Sequence, residues 1–301
     1  MIQDGLIHGE ATMDFNLLGF DEKFLSKISK ELDTVVRSGF WSGGKYVKQI
    51  EEEFNLHYQM HSVACSSGGM ALELIANAFP NIKKVGCQSN TYFASILPWI
   101  NREREIVLIG THEKSLSPSL EYVKEVCRLG VDAIILTHVG GYPIPEIKKI
   151  ADFCQNNKIL LIEDCAHSPF TKIDNKYVGS FGDASIFSFF PTKPIPAGEG
   201  GIVLFKKENI SSKVSRIRDY GKVNSNNKIL HKLPAVSNGR LNEFSAAVVY
   251  AFLNNYKNIQ LKRREIAKVY DNLIPEELIY QKNIKNEQIL SYYKYITYLK
   301  K

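Results

Sequence analysis

Two five-residue runs, Ala133–Thr137 (AIILT) and residues 159–163 (ILLIE), are apolar at almost every position. A strand with one face in water alternates apolar and polar side chains, so runs like these belong to a sheet covered on both faces. Further bursts of strand character lie at residues 62–65, 84–87, 106–109, 185–189 and 202–205. Between them, residues 69–78, 94–101, 120–129 and 144–156 carry helical spacing. Strand–helix alternation of this kind predicts an α/β fold around a mostly parallel sheet. Two helices are expected ahead of it. In residues 20–37, Phe24, Ile28, Leu32, Val35 and Val36 recur at helical spacing up to Ser38-Gly39, and Lys45–Tyr58 follows a turn at residues 41–44.

The pattern changes after Phe205, with few strands and more helix. Residues 224–232 (NSNNKILHK) read as a polar loop, residues 241–256 and 259–273 as helices, and residues 292–299 as strand. One strand closes no domain. The expectation is a large domain over residues 1–240 and, over residues 241–301, the start of a small C-terminal α/β domain that the chain does not complete.

Composition removes several function classes. No window approaches 18 uninterrupted apolar residues, so no membrane span is expected. The first fifteen residues carry acids and no apolar stretch, which speaks against a signal peptide and for a cytoplasmic chain. The net charge of +6 is spread along the sequence without a nucleic-acid-binding motif, and suits an anionic small molecule. Five cysteines without a CxxC pair argue against disulfides and zinc. The histidines of HYQMH, His57 and His61, have Tyr58 where HExxH needs glutamate, so no metal site is expected.

In open α/β sheets ligands collect beyond the carboxyl ends of strands, and four segments there could carry chemistry. The 159–162 strand runs into Glu163-Asp164-Cys165-Ala166-His167, where Asp164 suits either a cap on the next turn or a partner for a protonated ring nitrogen. Lys193 follows Ser188-Phe-Phe-Pro-Thr in a loop stiffened by three prolines and three glycines between Pro191 and Gly201. Fixed between apolar flanks and followed by GEGG, it is favoured as a Schiff-base amine over a lysine that snorkels to solvent. Cys65-Ser-Ser-Gly68-Gly69 suits a phosphate at a helix N-terminus, or simply a tight turn. In Asn90-Thr-Tyr92-Phe93 an aromatic ring could stack on a heterocycle or belong to the core. GxGxxG and GxxxxGK[ST] are absent, so a nicotinamide-dependent Rossmann enzyme loses its main support.

Taken in order, IEDCAH, GSFGDASIFSFFPTK, GEGG, RDYG (residues 218–221) and SNGRLNEFSAA (residues 237–247) resemble the DegT/DnrJ/EryC1/StrS family of fold-type I pyridoxal-phosphate (PLP) enzymes, the sugar aminotransferases. The resemblance runs from about Gly39 to Leu273. It implies a large domain with a seven-stranded, mostly parallel sheet between helices. It also implies that Lys193 is the Schiff-base lysine and proton shuttle, that Asp164 pairs with the pyridinium nitrogen, and that His167 lies beside the ring hydroxyl. Tyr92 would stack on the ring, Gly68, Gly69 and Ser188 would bind its phosphate, and Asn238 would reach the phosphate of a partner subunit, making the active unit a homodimer. Gly69 stands where relatives usually carry threonine, and Pro194 where many carry asparagine. Relatives usually continue beyond the segment like residues 292–299. Branches that replace the lysine with histidine are dehydratases, so Lys193 marks the aminating kind.

The resemblance thus implies an aminotransferase that cycles PLP and its pyridoxamine form, taking an amino group from glutamate to a keto-sugar nucleotide for surface polysaccharides. Its rivals are a small phosphorylated ketone as substrate, and a PLP-binding homologue without catalysis.

Overall fold

The computed structural model describes residues 20–112, 115–225, 228–231, 238–280 and 289–298. The amino-terminal stretch read for a leader lies outside them, as do Ser237 and Leu299. None of the described helices is long and apolar enough to cross a membrane.

The chain opens with α1 (Glu22–Ser38) and α2 (Lys45–Tyr58). Asp21 starts α1 by accepting the Phe24 N–H at 2.9 Å, and Gly39, at φ 68°, ends it in the left-handed region that glycine adopts freely. There follow β1 (His61–Cys65), α3 (Gly68–Ala78), β2 (Lys84–Gln88), the single turn α4 (Leu97–Ile100), β3 (Glu105–Ile109), α5 (Leu120–Cys127), β4 (Ala133–Thr137), α6 (Ile147–Asn156) and β5 (Leu160–Asp164). A two-residue pair, β6 (Lys172–Ile173) and β7 (Lys176–Tyr177), precedes β8 (Ala184–Ser188) and β9 (Gly201–Phe205). The rest is α7 (Glu208–Ile217), the hairpin β10 (Lys222–Ser225) and β11 (Lys228–His231), α8 (Glu243–Leu253) and α9 (Tyr256–Leu273).

Seven strands form one sheet in the order β1-β9-β8-β5-β4-β2-β3, all parallel to their neighbours except β9, which runs against both β1 and β8. Both faces are covered. Ile134 and Leu136 of β4 enter a core shared with α1, α2, α6 and α8, while Ala133 and Ile135 enter a second core shared with α3 and α7. Alternate side chains thus go to opposite faces, and both faces are apolar, which is why β4 reads as an unbroken apolar run.

The parallel strands end on one edge, where register sets Thr137 beside Asp164. Because β9 is antiparallel, its first residue, Gly201, arrives at the same edge, paired with both Ser188 and Cys65.

Four expected elements differ. The helix expected from residue 144 starts at Ile147, because Ile144 precedes Pro145 and is pushed out of helical geometry. The helix expected over residues 94–101 is a 3-10 turn, Phe93–Ser95, followed by α4, whose Pro98 is tolerated only in a first turn. Of the polar loop at 224–232, the described part pairs as the β10–β11 hairpin, with Val223 opposite Leu230; residues 226–227 and 232 lie outside the described residues. Among the described residues, 292–298 form no ladder, only an isolated bridge from Ile279 to Thr297. Their polar groups bond to the sheet-edge loops at Gly140 and Thr192, to Leu278 and Tyr280, and to Arg263 and Asp271 of α9.

Candidate active site

The buried carboxylate of Asp164 lies at the carboxyl end of β5. The Ser95 hydroxyl donates to its Oδ2 at 2.9 Å and the Ala166 N–H to its Oδ1 at 3.0 Å. Burial pushes its pKa up, partly offset by those two donors and by the charge of Lys193. A buried carboxylate in this state gains from one more cationic donor. Ser95 is itself held by Thr91 (3.0 Å), which also meets Thr137 at 2.6 Å. This hydroxyl row pins the 91–95 turn against the sheet edge, leaving Tyr92 78% exposed between its anchors.

His167 lies just beyond β5. The Gly140 N–H donates to its Nδ1 at 3.3 Å, so the neutral ring carries its proton on Nε2. Burial, then the charges of Lys193 and Lys294, push its pKa down to about 3, which keeps the imidazole neutral. The ring stacks on Tyr293 at 4.3 Å and 23°.

Lys193 sits in the loop between β8 and β9, shaped as its prolines and glycines predict. The Phe189 N–H donates to Gly200 O (2.8 Å), the Ala197 N–H to Phe189 O (2.8 Å) and the Lys193 N–H to Phe190 O (2.9 Å). Pro194, Ile195 and Pro196 are buried beneath it. The Lys193 Nζ lies 4.9 Å from the centre of the Tyr293 ring, whose hydroxyl is 3.3 Å from Thr192 Oγ1. The ammonium acts on both Asp164 and His167. The structure therefore brings Asp164, His167 and Lys193 together.

Between β1 and α3, Ser67 caps the helix by accepting the Met70 N–H at 3.0 Å. Among the described residues no acceptor takes the N–H groups of Gly68 and Gly69, which head α3. A Cβ on Gly68 would lie 2.9 Å from that of Ser188, and one on Gly201 would lie 2.5 Å from Ser67 carbonyl carbon. The backbones of three segments thus meet where only glycine fits, presenting N–H groups and the Ser188 hydroxyl. Asn238 is exposed beside this turn: its neighbour Gly239 accepts the Ser66 N–H at 2.9 Å, and its own Oδ1 accepts the Arg240 N–H at 3.3 Å. Among the described residues no hydrogen bond, ion pair or ring contact joins Asn238 or Tyr92 to Asp164, His167 or Lys193.

The donor set fits PLP. A buried carboxylate short of a cationic partner, an Nε2–H imidazole, a lysine amine and an open helix end complement its ring nitrogen, hydroxyl, aldehyde and phosphate.

Sequence reasoning missed Thr91, Ser95, Thr137, Gly140, Tyr293 and Lys294. All act through partners distant in the chain, and only the aromatic density of SYYKYITY (residues 291–298) hinted at a role. His138, Glu163 and Cys165 bring ligand-type atoms within 4.8 Å of one another. Four donors already occupy the Glu163 carboxylate: Phe181 N–H (2.8 Å), Gly182 N–H (2.6 Å), Gly179 N–H (2.8 Å) and His138 Nε2 (3.0 Å). This grouping is a hydrogen-bond knot. His57 belongs to α2 and His61 to β1, so they share no helix face.

A profile of the DegT/DnrJ/EryC1/StrS aminotransferase family matches residues 23–301. The GDP-perosamine synthase of Vibrio cholerae is 33% identical over 245 residues, covering 80% of this chain and 66% of that protein. This chain therefore spans slightly under two thirds of that relative's length. Among solved structures, Helicobacter pylori PseC, an aminotransferase of pseudoaminic acid biosynthesis, superposes with a TM-score of 0.85 at 20% identity, covering 94% of this chain and 76% of that one. The PLP form of the sugar aminotransferase Spr1654 from Streptococcus pneumoniae gives 0.81 at 20% identity, covering 90% and 75%. At such identities the two likenesses establish the fold.

Proposed function

The chain belongs to the DegT/DnrJ/EryC1/StrS aminotransferase family, and from that premise we propose that it is a PLP-dependent aminotransferase acting on a nucleotide-linked keto-sugar, with glutamate as amino donor. The observation that carries this is the convergence of Asp164, His167 and Lys193 at one sheet edge beside the open end of α3. The name of the Vibrio cholerae relative supports a nucleotide sugar, and the PLP form of the Streptococcus pneumoniae structure supports the cofactor.

PLP, when bound, supplies an electron sink that stabilises the pair released when a proton leaves the amino-bearing carbon. Lys193 Nζ would take that proton and return it to the other end of the conjugated system. Asp164 would hold a protonated ring nitrogen, the partner its burial calls for. The Nε2–H of His167 would donate to the ring oxygen, and because the imidazole stays neutral it would not compete with Lys193 for protons. Gly68, Gly69 and Ser188 would bind phosphate, and Tyr92 would stack on the ring. Tyr92 and Asn238, exposed next to the site, support a homodimer in which Asn238 serves the partner.

The test is a visible absorption spectrum before and after glutamate, beside Lys193→Ala. A band that glutamate bleaches and the variant cannot form is expected, with turnover reduced at least 100-fold in the variant. A protein that takes up no PLP overturns the proposal. A band that no amino donor bleaches points to a binding homologue without catalysis. A panel of ketones then separates a nucleotide sugar from a small phosphorylated ketone.

A further inference from the structure

Behind Asp164 lies a buried pair that the chemistry above leaves unused. Glu163 and His138 are both fully buried, and their side chains meet at 3.0 Å. The Ile144 N–H donates to His138 Nδ1 at 3.1 Å. That leaves the proton of a neutral His138 on Nε2, pointing at Glu163. Burial alone would raise the Glu163 pKa, but His138 and the Gly182 and Gly179 N–H groups hold it below the ordinary value, so the carboxylate is charged.

His138 begins the loop that contacts His167. Its two glycines adopt positive φ, 70° at Gly140 and 96° at Gly141, which turns the Gly140 N–H toward His167 Nδ1. The loop's carbonyls are tied down as well: Ser168 Oγ donates to His138 O (2.8 Å), Lys294 N–H to Gly140 O (2.9 Å) and Thr171 Oγ1 to Gly141 O (3.1 Å). Two sets of hydrogen bonds, Glu163–His138–Ile144 at the ends of the loop and Gly140–His167 at its middle, are therefore joined by the backbone of residues 138–144.

We infer that Glu163 and His138 are positioning residues that, through the 138–144 loop, hold His167 in the tautomer protonated at Nε2. The inference concerns the protein without its cofactor; only its value to catalysis rests on the function proposed above.

The test is nitrogen NMR on cofactor-free protein carrying 15N-histidine, with the His167 signals assigned by their loss in His167→Asn. The wild type should show a pyrrole-type Nε2 and a pyridine-type Nδ1 at His167. Glu163→Gln leaves one acceptor oxygen where there were two, so an NH2 group faces backbone donors, and the two His167 signals should move toward their average. His138→Ala should do the same, whereas His138→Asn, whose amide oxygen can still accept from Ile144, should restore the wild-type pair. That rescue separates positioning from bulk stability, and it decides the matter if Glu163→Gln does not fold. A proton on Nδ1 in the wild type overturns the inference. So do unchanged His167 signals in the folded Glu163→Gln and His138→Ala proteins. Wild type that shows the expected pair yet never binds PLP would sink the function reading and leave this inference standing.

Discussion

Two helices in this molecule begin the same way and end up with opposite uses. Paired glycines stand at the start of both α2 and α3, Gly43-Gly44 just before the first and Gly68-Gly69 as the opening residues of the second, and both ends present N–H groups that no helical acceptor can reach. At α2 the protein fills the end itself. Glu243 Oε1 accepts from Gly44 and Val47 (3.0 Å each) and Oε2 from Tyr46 (2.8 Å), and a Cβ on Gly44 would lie 2.9 Å from the Glu243 carboxyl carbon. At α3, among the described residues, only the small Ser67 cap is present, and the end opens onto the sheet edge beside Ser188. A glycine-headed helix thus stays open to an outside anion only where the fold supplies no anion of its own.

Breaking the filled end should have the largest effect. Glu243→Ala strips a buried carboxylate from three backbone donors and should lower the unfolding free energy by roughly 3–5 kcal/mol, measured by urea denaturation. The PLP absorption band should keep its position. A stability change under 1 kcal/mol would mean that the end of α2 does not depend on its carboxylate.

At the open end, Gly68→Ala drives a methyl group into Ser188. An overpacking cost of about 1–3 kcal/mol is expected, together with PLP binding weakened roughly tenfold, since one hydrogen bond to a charged group amounts to about 1.5–3 kcal/mol. Fluorescence titration with PLP checks it. The opposite change is Gly69→Thr. The nearest atom to a Cβ there is Ser67 Oγ at 3.7 Å, so the side chain fits. Its hydroxyl should tighten PLP by roughly fivefold, about 1 kcal/mol. Unchanged affinity would show that phosphate does not reach that face.

A separate effect lies outside both helix ends and shows what they do not control. His167 has its pKa lowered from 6.5 to about 3 in the folded chain, so the unfolded chain binds the extra proton between those values. Stability should therefore fall as pH drops from about 6.5 toward 3. His167→Asn should lose stability less steeply over that window, by thermal melts at several pH values, while Glu243→Ala keeps the wild-type slope.

Much of this architecture could be read from periodicity. Ala133–Thr137 and Lys45–Tyr58 begin and end where the apolar pattern says, because a covered strand and a capped helix each carry their signal within one element. Prolines could have corrected the start of α6, since Pro145 restricts Ile144 by local sterics alone. The pairing of residues 222–225 with 228–231 was harder, because a stretch so rich in asparagine reads as loop.

Within the site, Asp164 and Lys193 were legible from their place at strand ends. Nothing local distinguishes Gly43-Gly44 from Gly68-Gly69. The difference is Glu243, 199 residues from Gly44. Tyr293 escaped for the same reason: its composition suggested a strand, while its actual partners are His167 and Thr192, far back in the chain.

The late arrival of those partners bears on how the molecule is made. Ser291 Oγ donates to His167 O at 2.6 Å across a separation of 124 residues, and the α2 end waits for Glu243 across an even longer span. Contacts this distant slow folding, because loop closure must precede any gain from them. On the ribosome Lys193 emerges well before Tyr293, so the sheet edge, its helix end and its lysine are made ahead of the tyrosine that walls them. Between those two points a nascent chain carries the pocket without its tyrosine wall, an interval in which free cofactor could first be captured.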